Sequence, residues 1–263
     1  MLYVLPAAAA RESAGAMAVR ISGFLGGRLQ LAQDERGHRV GLDAALLAAA
    51  TPAGASGLIL DLGAGVGAVG LSAARLAPKA RIGLVEIAPE TAALARENIR
   101  LNGLEERVRL YEADFIGAAN RRAAGLVDEE AEVVLTNPPH HARGSVRVSP
   151  DPAKALAHVA DAPLALWTRA ALALLAPGGV FAIIHRAEAL AECLAALEGR
   201  VGGLSILPVQ PRDGAAATRV LIRGVKGSKA PLSLLPPLIL HHSDGAYAPL
   251  ADAILRGLRP APL

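Results

Sequence analysis

The stretch Leu58-Ile59-Leu60-Asp61-Leu62-Gly63-Ala64-Gly65-Val66-Gly67 decides the fold of this chain. Its first half is short and apolar, which is typical of a buried strand over Leu58–Leu62. The glycines that follow allow a sharp turn and let a ligand approach the backbone. Residues Ala68–Leu76 then have a helical pattern that ends before Pro78. The order of strand, glycine-rich turn and helix predicts a ligand-binding unit.

The same alternation of apolar strands and helices continues along the chain. Such alternation is typical of a parallel sheet covered by helices on both faces. Further strands are predicted over Arg81–Glu86, Arg107–Tyr111, Glu132–Thr136 and Val180–His185, and further helices over Pro89–Leu101, Leu164–Leu175 and Ala187–Leu197.

The last two strong strands, Leu204–Val209 and Arg219–Val225, are separated by Gln210–Thr218. This linker contains Pro211 and Gly214 and is too short for a helix, so the two strands must pair as an antiparallel hairpin. We therefore predict an α/β fold built on a seven-stranded, mostly parallel Rossmann-like sheet. One antiparallel C-terminal hairpin closes this sheet, and helices cover both of its faces.

Composition restricts the class of protein. The chain has 263 residues and a formal net charge of +3, which permits contact with a polyanion but does not require it. A single cysteine, Cys193, excludes an internal disulfide, and its apolar helical neighbours favour a buried, inert thiol. Apolar runs end well short of the roughly 18 residues that span a bilayer. Met1–Ala16 lacks the basic start of a secretory signal, so we expect a cytoplasmic protein without a membrane segment.

The glycine-rich loop leaves two cofactor classes open. Gly65–Gly70 matches the dinucleotide pattern GxGxxG, and Glu86 ends the next strand about 20 residues on, which suits a nicotinamide-dependent oxidoreductase. However, Asp61 and Asp114 also end predicted strands, so three carboxylates are expected at adjacent strand ends. Such a pocket would repel a pyrophosphate but suits the ammonium and sulfonium of S-adenosylmethionine. We therefore predict that Asp61, Gly63, Gly65, Gly67, Glu86 and Asp114 bind S-adenosylmethionine.

A second motif, Thr136-Asn137-Pro138-Pro139-His140, follows the fourth predicted strand of the repeating pattern. At this point the chain resembles the class I S-adenosylmethionine methyltransferases of the N-P-P-aromatic type, which modify planar amines. An exocyclic amine is a poor nucleophile because its lone pair is delocalised into the ring. The Asn137 oxygen and the Pro138 carbonyl are expected to accept its N–H bonds, and two prolines preorganise these acceptors. Asn137 is also expected to contact the cofactor.

The residue after the two prolines departs from the family pattern. An aromatic residue usually stacks on the target base at this position, whereas this chain has His140. An imidazole stacks with less area, so substrate choice is open at this residue. The adjacent pair His140-His141 is not expected to bind metal, because neighbouring side chains diverge and no Cys or acidic partner lies at ligand spacing. The predicted catalytic residues are Asn137, Pro138, Pro139 and His140, with no metal.

A narrower resemblance rests on the N-terminal segment. Gly27–Gln33 and Gly37–Leu47 are similar to the N-terminal signature of the bacterial tRNA(Val) adenine-N6 methyltransferase family. In that family the segment folds over the cofactor pocket, which implies cofactor contacts from Arg39 and Asp43. The stretch Pro6–Ala10 indicates a flexible tail at 1–17. The resemblance implies a hairpin and helix at 18–57 that cover the pocket and a class I methyltransferase domain at 58–263.

The resemblance implies an RNA substrate, and adenine N6 in tRNA is the expected target. A base in folded RNA must be exposed before its amine can reach Asn137. Phosphate contacts are expected from Arg143, Arg147, Lys226 and Lys229 near the mouth of the catalytic loop. Three alternatives stay open: a methyltransferase acting on another RNA base or on a protein glutamine, a nicotinamide-dependent oxidoreductase, and a non-catalytic RNA-binding relative.

Overall fold

The computed structural model describes residues 18–35, 40–139 and 162–263. The tail predicted at residues 1–17 therefore lies outside the described part of the chain. The N-terminal hairpin is present as two antiparallel strands, β1 (Val19–Phe24) and β2 (Leu29–Asp34). Helix α1 (Leu42–Ala48) follows, as the sequence predicts.

The main sheet contains all the strands predicted after the hairpin. They are β3 (Leu58–Leu62), β4 (Arg81–Glu86), β5 (Val108–Glu112), β6 (Ala131–Thr136), β7 (Leu175–Arg186), β8 (Val201–Arg212) and β9 (Arg219–Lys226). They lie in the order β8-β9-β7-β6-β3-β4-β5, and β9 is antiparallel to both of its neighbours. The mostly parallel sheet and its C-terminal hairpin are thus confirmed.

Two short strands extend the sheet beyond the predicted seven. β10 (Ser233–Leu234) and β11 (Leu238–His241) both pair in parallel with β8, at different places along its length, so the described sheet has nine strands. These two short strands lie beyond the seven of the predicted sheet, and one of them covers Leu238–Leu240, which the sequence offers as a possible edge strand. The other, β10, has only two residues and lies in a stretch rich in proline, where alternation of apolar and polar residues cannot be recognised.

The helices cover the two faces of the sheet in separate groups. They are α2 (Ala68–Leu76), α3 (Pro89–Leu101), α4 (Ala118–Ala123), α5 (Leu164–Leu174), α6 (Leu190–Leu197) and α7 (Pro249–Leu255). Along β3 successive side chains point to opposite faces, so Ile59 packs with α1, α2 and α7, whereas Leu60 packs with α5 and α6. Burial of both faces explains why the strands have nearly continuous apolar sequences.

Two predicted boundaries were wrong near the sheet's centre. The helix expected to continue to Leu175 ends at Leu174, and β7 begins at once instead of at Val180. The strand contains Pro177-Gly178-Gly179 as a bulge, since Ala131 pairs with Leu175 but Val133 pairs with Val180. Proline and glycine end helices in most settings, but here the extra residues bulge within a strand.

The topology brings the functional motifs to one edge. β3, β4, β5, β6 and β7 are parallel, so their carboxyl ends lie at the same edge of the sheet. The chain order reverses between β3 and β6, because β3 leads outward to β4 on one side and has β6 on the other. Ligands of open α/β sheets bind beyond the carboxyl ends at such a switch point. Gly63 and Asn137 each come directly after one of these two strands.

Candidate active site

The glycine-rich loop after β3 has a backbone conformation that L side chains rarely adopt. Gly63, Gly65 and Gly67 have φ angles of +73°, +56° and +87°. A Cβ added at Gly65 would meet no atom within 4 Å, so this residue faces open space. The N–H groups of Gly63 and Ala64 both donate to the carbonyl of Val85 at 3.0 Å, which fixes the loop against β4. The loop is therefore shaped to admit a ligand against its backbone.

Glu86, at the end of β4, is held by three backbone amides. Its Oε2 accepts from Gly65 N–H at 2.8 Å, and its Oε1 accepts from Ile87 and Ala88 at the same distance. The side chain is half-buried. Glu86 thus joins the glycine loop to the start of α3, and its orientation is set before any ligand arrives.

Asp61 is buried beneath the glycine loop rather than exposed at its surface. Its Oδ2 accepts from the Gly70 N–H at 2.8 Å, at the start of α2, and the residue is only 1% exposed. Burial raises the pKa of Asp61 to about 7; the Gly70 hydrogen bond opposes this shift, and the negative charge of Glu86 adds to it. The described contact of Asp61 is therefore with α2, and its predicted contact with the cofactor stays a prediction.

Asp114 caps the turn after β5. Its Oδ1 accepts from Ile116 N–H at 2.8 Å, and its Oδ2 accepts from the Asn120 side chain at 3.1 Å. Asp61 lies next to the end of β3, Glu86 ends β4 and Asp114 follows β5, and these three strands are neighbours in the sheet. The structure therefore brings the three predicted carboxylates to one edge, where a cationic ligand would be stabilised and a pyrophosphate repelled.

The catalytic loop begins where β6 ends. Asn137 is half-buried, Pro138 is buried and Pro139 is exposed. The side-chain oxygen of Asn137 is buried and has no hydrogen-bond partner among the described residues. A buried acceptor without a partner is costly, which makes this oxygen a candidate acceptor for an incoming N–H. His140, the fourth predicted catalytic residue, lies outside the described residues.

The N-terminal signature is described only in part. Arg39 lies outside the described residues, whereas Asp43 in α1 forms an ion pair with Arg219 at 2.9 Å. Arg219 begins β9 opposite Arg186, the last residue of β7, so the pair lies at the carboxyl edge of the sheet. Asp43 is therefore at the same edge as Asn137, and its described partner is an arginine.

The structure does not place Lys226 and Lys229 near the catalytic loop. β9 runs antiparallel to its neighbours, so it begins at the carboxyl edge and ends, at Lys226, at the opposite edge. Lys226 donates to the Leu175 carbonyl at 2.7 Å and pairs with Glu129 at 2.9 Å. The prediction that these lysines lie near the catalytic loop was wrong, because the order of residues in the sequence does not show at which edge of the sheet a turn lies. Arg143 and Arg147 fall outside the described residues.

Asn98 is a functional candidate that the sequence analysis missed. It is fully buried in α3, where it donates to the carbonyls of Ala32 and Val66 at 3.0 and 2.9 Å and accepts from Ala32 N–H at 2.6 Å. It therefore connects the N-terminal hairpin to the glycine loop. The available signal was an asparagine between Ala95 and Ile99 on the buried face of an amphipathic helix.

Trp167 is a second missed residue. Its indole N–H donates to the Thr136 hydroxyl at 2.8 Å, and that hydroxyl donates to the Leu62 carbonyl at 2.9 Å. Both side chains are buried. No signal in the sequence indicated this contact, because Trp167 resembles any apolar residue of helix α5.

Cys193 is buried, as predicted, and burial raises the pKa of its thiol to about 12, which makes it a poor nucleophile.

Within the described residues, no helix is long and apolar enough to cross a membrane. The same residues contain no group of three or more His, Cys, Asp or Glu placed to hold a metal ion.

Fold and site together define an S-adenosylmethionine-dependent methyltransferase. The family model described as the methyltransferase small domain matches residues 38–204, which is more than half of the chain. The chain therefore belongs to the methyltransferase small domain family. This membership confirms the predicted class of enzyme and its cofactor, and it sets aside the nicotinamide-dependent alternative.

Curated relatives match most of the chain. The chain is 31% identical over 235 residues to the tRNA1(Val) (adenine(37)-N6)-methyltransferase of Aeromonas hydrophila, covering 87% of this chain and 93% of that protein. It is 28% identical over 222 residues to the protein of the same name from Tolumonas auensis, covering 82% of this chain and 88% of that one.

Solved structures share the fold. A protein from Agrobacterium tumefaciens, described as a predicted O-methyltransferase, is 33% identical with a TM-score of 0.71, covering 83% of this chain and 98% of that one. TYW2 from M. jannaschii, solved in complex with AdoMet, is 15% identical with a TM-score of 0.53, covering 82% of this chain and 89% of that one. The second likeness concerns the fold alone.

The residues present fit S-adenosylmethionine. Gly65 faces open space, the Glu86 carboxylate accepts from its N–H, and Asp61 lies beneath the loop against the start of α2. The unpartnered oxygen of Asn137 follows the strand that pairs with β3. An acidic side chain fixed beside an open glycine loop suits a cationic nucleoside.

Proposed function

We propose that this protein transfers a methyl group from S-adenosylmethionine to the N6 amine of an adenine in tRNA. One observation carries the proposal: the buried side-chain oxygen of Asn137 has no partner among the described residues, at the switch point beside the glycine loop. The names of the curated relatives in Aeromonas and Tolumonas support adenine N6 in tRNA as the target. A tRNA substrate would place the enzyme in the cytoplasm.

The chemistry follows from the acceptors. S-adenosylmethionine, when bound, supplies an electrophilic methyl group. Asn137 accepts one N–H of the amine through its side-chain oxygen, and the Pro138 carbonyl accepts the other. Two acceptors draw the nitrogen toward a tetrahedral geometry, which frees its lone pair for in-line attack. Positioning carries most of the rate, and the proton leaves to water after transfer.

Glu86 and Asp61 have separate tasks in this proposal. The carboxylate of Glu86 is oriented by three amides, so it is ready to accept hydrogen bonds from the ribose hydroxyls. Asp61 holds the start of α2 beneath the glycine loop through its bond to the Gly70 N–H. Asp114, Arg39 and Asp43 are further proposed cofactor contacts.

A hydroxyl substrate is the main competitor, since the similar Agrobacterium protein is described as a predicted O-methyltransferase. A hydroxyl has one hydrogen and needs a base to remove it, whereas an amine offers two hydrogens to two acceptors. The Asn-Pro-Pro segment supplies two acceptors, which matches the two hydrogens of an amine. The loop therefore favours an amine, and other RNA bases or a glutamine amide remain narrower alternatives to adenine.

The base must leave its stack to reach Asn137, and Pro139 is exposed at the mouth of the loop. We propose that His140 stacks on the extruded base and that Arg143 and Arg147 contact the flanking phosphates. These residues follow Pro139 within a few positions, which supports their closeness to the reacting amine.

Incubation of the protein with tritiated S-adenosylmethionine and unmodified tRNA, followed by nucleoside analysis, tests this proposal. We expect label in N6-methyladenosine. Label in a ribose 2′-O-methyl group, or in protein rather than RNA, would assign the site to a different acceptor. Absence of transfer to any RNA or protein acceptor would favour a non-catalytic RNA-binding relative.

A further inference from the structure

The two functional loops are tied together by a chain of buried side-chain hydrogen bonds. Trp167 Nε1 donates to the Thr136 hydroxyl at 2.8 Å, and this hydroxyl donates to the Leu62 carbonyl at 2.9 Å. An indole nitrogen can only donate, so the single hydroxyl hydrogen must point to Leu62. The direction of both hydrogen bonds is thereby fixed, and the two bonds polarise one another.

Leu62 and Thr136, which share one of these hydrogen bonds, each precede a functional residue. Leu62 is the last residue of β3 and precedes Gly63, whereas Thr136 is the last residue of β6 and precedes Asn137. The two residues are also register partners in the sheet. The Thr136 side chain therefore adds a bond between β3 and β6 where both strands end.

The indole ring of Trp167 also limits the glycine loop directly. A Cβ added at Gly63 would come within 3.0 Å of two ring atoms, so the loop lies against the indole. Phe115, just after Asp114, packs edge-on to the same ring with centroids 4.7 Å apart. Trp167 thus contacts Gly63 after β3, Phe115 after β5 and Thr136 at the end of β6, and it is 2% exposed.

We propose that Trp167, acting through Thr136, is a positioning residue that sets the distance between the glycine loop and Asn137. This inference rests on the proposed role of Asn137 as the acceptor for the amine. Trp167 itself touches neither cofactor nor substrate in this account. Its effect is to keep the acceptor of the amine and the cofactor loop in one fixed arrangement, which in-line transfer requires.

Two variants remove these hydrogen bonds. Thr136→Val deletes the hydroxyl with little change of volume, whereas Trp167→Phe deletes the N–H together with the outer ring atoms Cζ2 and Cη2 that lie against Gly63. Thr136→Ser retains the hydroxyl and is the rescue variant. Thr51→Val is the matched control, because Thr51 is also buried but its hydroxyl has no partner among the described residues.

In methyl transfer to tRNA, Thr136→Val and Trp167→Phe are each expected to lower kcat by about tenfold, because misplacement of an acceptor slows a positioned reaction. KM for S-adenosylmethionine should change by less than about threefold, since the cofactor contacts remain. The double variant should be no slower than the worse single one, because both break the same chain. Thr136→Ser and Thr51→Val should retain wild-type kcat.

Amide hydrogen exchange of the full-length protein gives a readout that does not depend on activity. Breaking the tie should speed exchange in the peptides containing Gly63–Gly67 and Asn137 by about fivefold, whereas Thr51→Val should not. Wild-type kcat together with unchanged exchange in both Thr136→Val and Trp167→Phe would overturn the inference. If the wild-type protein methylates no amine, the proposed function fails, and the exchange result alone decides whether the tie holds the two loops.

Discussion

The carboxylate of Glu86 accepts a 2.8 Å hydrogen bond from the backbone N–H of Gly65, across the gap between the ends of β4 and β3. Gly65 has a φ angle of +56° and faces open space on the side where a Cβ would lie. The acidic side chain and the glycine loop are thus parts of one preformed surface. Both are fixed before a cofactor binds, which reduces the ordering cost of binding.

Glu86→Ala should weaken binding of S-adenosylmethionine by about 1.5–3 kcal/mol, the cost of losing a charged hydrogen-bonding partner. Isothermal titration calorimetry measures this directly. Glu112→Ala is the matched control, because Glu112 is the register partner of Glu86 on β5 but pairs with Arg96 at the surface. Equal losses of affinity in both variants would show that Glu86 has no specific role.

Asp61 predicts a pH dependence of stability. Its pKa is raised to about 7 in the folded protein, so between about pH 4 and 7 the folded state holds a proton that the unfolded state has lost. Stability from this group is therefore present at low pH and is lost as the pH rises through that window, by at most about 4 kcal/mol.

Asp61→Asn removes this titration and keeps an oxygen acceptor for the Gly70 N–H. The free energy of unfolding of the variant minus that of wild type should be larger at pH 8 than at pH 5, as measured by urea unfolding of both proteins. The difference between the two proteins isolates Asp61 from other titrating groups. A constant difference across this pH range would show that Asp61 is ionised throughout.

Asn98→Ala should destabilise the protein by about 3 kcal/mol, since it removes the partner of the buried N–H and carbonyl of Ala32 and of the partly buried Val66 carbonyl. Asn102→Ala is the control, because Asn102 bonds the neighbouring Gln30 backbone at the surface. We expect the control to cost about 1 kcal/mol in urea unfolding. Similar costs for the two variants would mean that the hairpin is held elsewhere.

The arrangement of the central sheet was predictable because its signals are local and repeated. Glycines after Leu62, a linker too short for a helix before Arg219, and apolar strands between helices each restrict the topology. The strand ends that carry Glu86 and Asn137 follow from the same pattern. Parallel strands bring their carboxyl ends to one edge, so these residues could be assigned to one site.

Long-range contacts were not predictable in the same way. The hydrogen bond from Trp167 to Thr136 spans 31 positions, and the bonds from Asn98 to Ala32 span 66. Neither residue type carries a spacing pattern that indicates its partner. Lys226 was misplaced for a related reason, since a basic turn after a strand can lie at either edge of a sheet.

RNA affinity should depend on Arg143 and Arg147 but not on Lys226. Replacing either arginine by Gln should make the fall of log affinity with log salt shallower by about 0.7–0.9, the contribution of one phosphate contact. Lys226→Gln is the control, because Lys226 lies at the opposite edge and is paired with Glu129. Filter binding at several salt concentrations gives the slopes. An unchanged slope in the arginine variants would remove them from the RNA surface.

The central claim is that the unpartnered oxygen of Asn137 holds the amine during transfer. The most direct test compares kcat for tRNA methylation and the Kd for S-adenosylmethionine in wild type, Asn137→Ala and Asn137→Asp. We predict that Asn137→Ala lowers kcat by about a hundredfold or more with little change in Kd, and that Asn137→Asp, which keeps an acceptor, retains more activity. Wild-type kcat in Asn137→Ala, with an unchanged Kd, would contradict the account.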